Sequence, residues 1–169
     1  MKQKPGIEKY IALLKENGAT EAVKIPRSSI ITAPWTHFKC RYGCMLYNKC
    51  LCCPPNTPNW KETSEILDCY EYGILFCMKE ELSVKPLAAK VCRELFLDGY
   101  YKAIAFGCGP CHLCPTCNMK HCVHATEAIP AMEACGIDVF GTVRGNGLEI
   151  DTIREESEPH HYYGLLMPE

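Results

Sequence analysis

The chain has 169 residues, 47% of them hydrophobic, and Lys+Arg 18 against Asp+Glu 20 gives a net charge of −2. That is enough for one domain, residues 1–169, with a real core, and too little for two ordinary ones. The balanced charge and the lack of a basic run give no sign of a nucleic-acid partner. No stretch approaches the ~18 apolar residues of a membrane span.

Near the N-terminus the only apolar run is Ile11 to Leu14, which is shorter than a secretory signal requires. The 14 cysteines are therefore expected in a reducing cytoplasm, where metal ligation is a commoner fate than disulfide formation. Exposed thiolates and clusters are vulnerable to oxygen, which suggests an anaerobic source.

Ile7, Tyr10, Ile11 and Leu14 recur at helical spacing, so a helix is expected from Pro5-Gly6 to about Asn17. Ala22–Ile25 and Ile30–Thr32 are short apolar pieces cut by Pro26 and Pro34, and they read as edge strands or extended loop. Five cysteines then fall within fourteen residues: Cys40, Cys44, Cys50, Cys52 and Cys53. Gly43 and Pro54-Pro55 argue that this stretch is a loop, and so many thiols together argue for a metal site.

A helix is expected from Pro58 to about Tyr70, and a buried-type strand at Tyr72–Met78. Val84 to Leu97 reads as a helix and Lys102–Phe106 as a second buried-type strand. Strand, helix, strand implies a right-handed βαβ unit, and with it an α/β fold whose small sheet is mostly parallel. Cys69, Cys77 and Cys92 lie on these elements and are expected in the core.

The second strand leads into Gly107–Cys122, GCGPCHLCPTCNMKHC. Cys111, Cys114 and Cys117 repeat every third position and Cys122 follows, as in bacterial ferredoxin runs that hold iron–sulfur clusters. Two residues between thiolates let one loop wrap several corners of a cubane. Zinc is the alternative, although its two cysteine pairs usually stand a dozen or more residues apart. Cys108 is an additional candidate, as are Cys50 and Cys52 in the first loop. His112, His121 and His124 flank the run and are expected to hydrogen-bond or face solvent.

Beyond it, a helix is expected at Pro130–Cys135, a loop at Gly141–Gly147, a solvated segment at 154–161 and a last strand at Tyr162–Met167. His160-His161 reads as surface.

These residues together resemble an uncharacterised group of predicted metal-binding proteins, the domain-of-unknown-function family 2284. The likeness runs through Cys40-Arg-Tyr-Gly-Cys44, Cys53-Pro54-Pro55, Gly109-Pro110-Cys111 to Cys117, Cys122 and Ala131-Met132-Glu133-Ala134-Cys135-Gly136-Ile137-Asp138-Val139. It implies Cys40, Cys44 and Cys53 as thiolates of the N-terminal site, and Cys111, Cys114, Cys117 and Cys122 as those of the other. The fourth N-terminal ligand is then Cys50 or Cys52, or an open iron.

The expectation is an iron–sulfur protein with two [4Fe–4S] clusters, passing electrons to a redox partner protein. The alternatives are an enzyme with an open iron that handles sulfur or a small substrate, and a zinc-stapled interaction module. No catalytic residue beside the thiolates stands out, and oligomeric state is not legible.

Overall fold

The computed structural model describes residues 4–155 and 157–169. Its helices are α1 (Glu8–Glu16), α2 (Trp35–Gly43), α3 (Trp60–Leu67), α4 (Glu81–Leu97) and α5 (Val139–Gly145). Its strands are β1 (Glu21–Pro26), β2 (Tyr72–Met78), β3 (Ile104–Phe106) and β4 (Tyr162–Met167), in the order β1-β2-β4-β3.

The α/β class stands, but every pairing in the sheet is antiparallel, which corrects the expected mostly parallel sheet. β2 and β3 do run the same way with α4 between them. β4 lies between the two and pairs with both, Phe76 facing Gly164 on one side and Ala105 facing Leu166 on the other. The physical reason is burial. β4 is apolar on both faces, so it belongs in the middle of a covered sheet.

Period-two alternation divides the core. Ile74, Phe76 and Leu166 face α1 and α4, packing with Tyr10, Leu14, Val84, Ala88, Val91 and Leu95. Leu75, Cys77, Leu165 and Met167 face the other way, towards Ile25, Leu67, Met132, Ile137 and Val143. α1 is tied down at Asp98, which accepts hydrogen bonds from Lys9 and from the Tyr10 hydroxyl at 2.7 Å. α3 starts on a capping box, in which Asn59 accepts from the Lys61 and Glu62 amides and Glu62 accepts from the Asn59 amide at 2.7 Å.

Several local expectations change. Pro130–Cys135 is not a helix; only a 3₁₀ turn forms, at Glu133–Cys135, and Gly136 stops it at φ +84°. The expected loop at Gly141–Gly147 is largely helix α5, because Asp138 caps it by accepting from the Gly141 amide at 2.8 Å. Ile30–Thr32 contributes a single bridge, Thr32 to Ile137. Cys77 is core, whereas Cys69 is exposed in the turn after α3 and Cys92 is half-buried at the edge of the core that α4 packs on.

Gly164 sits against Phe76 and Val84, where an added Cβ would stand 2.9 Å from Val84 Cγ1 and closer still to the Phe76 ring. Gly164→Ala should therefore destabilise by about 1–3 kcal/mol, read as a lower urea midpoint with an unchanged slope.

Candidate metal centre

Three segments carry the thiols, and hydrogen bonds fix where each one goes. α2 brings Cys40 on its last turn and ends at Gly43, so the first cysteine is helical and not in the loop that Gly43 suggested. The His37 ring is 2.8 Å from the Ala134 carbonyl, and the Thr57 hydroxyl donates to the same oxygen. This one carbonyl therefore ties α2 and the far end of the 44–57 loop to the Glu133–Cys135 turn. After β3 the chain leaves at Gly107, whose amide donates to Pro130 O at 2.9 Å, while the Met132 amide donates back to Gly107 O at 2.9 Å. The 108–129 loop is thereby closed at its neck.

The two loops meet. The Sγ atoms of Cys50, Cys52 and Cys111 all lie within 4.8 Å of one another, bringing two thiols of the first loop onto one of the second. Cys50 and Cys52 are only 7% and 8% exposed. A cavity of about 270 Å³ opens beside them, lined also by Cys114, Cys117, Cys122, His121 and His124. Cys117 adjoins Cys50, and Cys114 feels the charges of Cys111, Cys117 and Cys122. Cys53 adjoins Cys50 and feels Cys44, and Cys44 in turn acts on Cys40. Of the thiols implied by the resemblance, only Cys111 joins Cys50 and Cys52 in a group close enough to share one ion among the described residues, while Cys114, Cys117 and Cys122 line the cavity beside it. Cys108 is buried and stands apart from it, influenced by Glu133 and Glu81. His112 lines a different hollow, along α4.

The electrostatics suit a soft cation. Burial, and then the neighbouring thiols Cys111 and Cys50, push Cys52 up to about 12 from its ordinary 9.0. Burial, then Cys50, does the same to Cys53. Burial also pushes Cys108 and Cys135 up to about 12. These thiols resist ionising because like charges would accumulate where water is scarce. A bound metal reverses that preference, since it supplies the missing positive charge and takes the thiolate form. One thiolate-favouring contact is already present, because the Cys52 amide donates to Cys50 Sγ at 3.4 Å. The donor set is sulfur throughout, which fits zinc or iron–sulfur and not hard cations such as calcium or magnesium.

Lys85 and Glu133 belong to this neighbourhood and neither was singled out as a functional residue, although Glu133 lies in a stretch that carries the family likeness. Their signal was context: Lys85 stands next to the α4 core stripe of Val84, Ala88, Val91 and Leu95, and Glu133 lies in the Met-Glu-Ala stretch.

Two outcomes follow. Cys111→Ala should lower the metal content of the purified protein, whereas Cys69→Ala, in the exposed turn after α3, should leave it intact; elemental analysis of both decides. Metal-free protein should lose stability as pH rises from about 9 towards 12. Unfolded thiols ionise near 9.0 while Cys52, Cys53, Cys108 and Cys135 hold their protons to about 12, so the contribution is complete below the lower value and gone above the higher. Chemical denaturation of the reduced apo-protein across that range measures it.

No curated protein and no solved structure matches the chain. A family model described as "Predicted metal-binding protein (DUF2284)" matches residues 23–167, a span that takes in both cysteine loops and all of the sheet but the first two residues of β1. This cysteine-rich chain belongs to that family of predicted metal-binding proteins.

Proposed function

We propose that the protein is an iron–sulfur carrier holding two [4Fe–4S] clusters and passing electrons to or from a redox partner protein in the reducing cytoplasm of an anaerobe. The observation that carries this reading is the convergence of Cys50, Cys52 and Cys111 beside a cavity lined by Cys114, Cys117 and Cys122. The cysteines lining this cavity outnumber what one ion can use, and a cavity of about 270 Å³ is far larger than a single ion needs. The C-terminal loop would hold one cluster through Cys111, Cys114, Cys117 and Cys122. Cys40, Cys44 and Cys53 would serve the other, with Cys50 or Cys52 as fourth ligand. Bound clusters would supply reversible one-electron chemistry.

The protein's own part is environment. Burial of Cys50 and Cys52 limits water at the sulfurs, and the Cys52 amide donates a hydrogen bond to Cys50 sulfur. Both are established means of setting a cluster's potential. Among the described residues no helix is long and apolar enough to cross a membrane.

A zinc-stapled module is the second reading, favoured by the close approach of the three sulfurs. Thiolates sharing one tetrahedral ion at 2.3 Å stand about 3.8 Å apart, not far below the 4.8 Å limit of this trio. A third reading is an enzyme in which Cys40, Cys44 and Cys53 alone hold the N-terminal cluster and leave one iron open.

Protein purified without oxygen should be brown, with iron and acid-labile sulfide in near-equal amounts and an EPR signal on reduction. Stoichiometric zinc without labile sulfide would replace this reading with the zinc module. Added cyanide or thiolate that shifts one cluster's EPR signal alone would favour the enzyme.

A further inference from the structure

Lys85 is on the second turn of α4, and its ammonium nitrogen is buried with no hydrogen-bond partner among the described residues. Its stem lies flat on the backbone of Gly107, where an added Cβ would stand 2.5 Å from Lys85 Cγ and 3.4 Å from Cε. Gly107 is thus a glycine because the lysine passes over it, immediately before the C-terminal cysteine run. The Lys85 charge acts on Cys52, Cys53, Cys108, Cys135 and Glu133, which come from three separate stretches of chain. Neither Glu81 nor Glu133 forms an ion pair with it among the described residues.

A buried ammonium without a partner is costly. Without metal, no carboxylate among the described residues pairs with it. Four thiolates around a divalent ion or a cluster core of the same charge leave the assembly with a net negative charge. That is the anion this site lacks.

We propose that Lys85 is the built-in counter-charge of the metal–thiolate assembly, a positioning residue that donates to sulfur once the metal is bound. This rests on the reading of the site as a metal centre, and it holds for iron–sulfur or zinc alike. The role predicts opposite signs in the two states of one protein. Without metal the lysine destabilises the fold, and with metal it stabilises the complex. A lysine that merely packs its stem would act in the same direction in both.

The test compares wild type with Lys85→Met, Lys85→Arg and, as control, Lys90→Met, an exposed lysine on the same helix whose ammonium donates to Asn17 at 2.7 Å. Each protein is made anaerobically, and metal loss to a chelator is followed alongside denaturation of the metal-free form. Lys85→Met should weaken metal retention on the order of 10–100-fold, the usual cost of losing an outer-sphere partner, while its metal-free form should be more stable than wild type. Lys85→Arg should retain metal close to the wild-type level, and Lys90→Met should match wild type in both measurements. Equal retention by Lys85→Met and wild type, or a metal-free Lys85→Met no more stable than wild type, overturns the role of Lys85 alone. So does an equal loss in Lys90→Met. A wild-type protein that takes up neither iron nor zinc overturns the metal reading, and this inference with it.

Discussion

The structure turns on the crowding of sulfur that the fold itself creates. Two loops with little apolar surface of their own press Cys50, Cys52 and Cys111 within 4.8 Å of one another, with Cys50 and Cys52 largely out of water. As thiolates these groups would repel, and as thiols they waste the most reactive side chains in the chain. A structural metal can contribute on the order of 10 kcal/mol, which is comparable with the roughly 5–15 kcal/mol that holds a whole domain together. The loops can therefore be polar, proline-rich and irregular, because their order is to come from coordination and not from a core.

The scaffold's part is to deliver those loops to one place. β3 is only three residues long, yet its end fixes Gly107, and the exchange of hydrogen bonds between Gly107 and residues 130–132 closes the second loop at its neck. The Ala134 carbonyl, held by His37 and Thr57, does the corresponding job for the first. These anchors all lie in or beside the Met132–Cys135 turn, so the segment between the second loop and α5 acts as the common floor of the site.

Much of this was legible in the sequence. The continuous apolar runs at Tyr72–Met78 and Tyr162–Met167 are strands, and the stripe on α4 packs as its spacing implied. Sheet order was not legible. A strand-helix-strand pattern sets the direction of β2 and β3, but says nothing of a later strand that slides between them. Composition also misled at Gly141–Gly147, where the glycines suggested a loop although Asp138 caps a helix. At the site, the cysteine spacing marked both loops but not their meeting. Cys50 and Cys52 could be ranked only as additional candidates, because what brings them to Cys111 is a tertiary contact. Lys85 carried no signal beyond being a lysine beside an apolar stripe.

The central place of β4 has a consequence for how the molecule is made. Its partners β2 and β3 emerge from the ribosome well before it, and β3 pairs with no other strand. Until β4 arrives, β3, whose end fixes the neck at Gly107, has no partner strand. Such non-local closure is slow. Closure of the sheet, and with it the final seat of β3, therefore waits on β4.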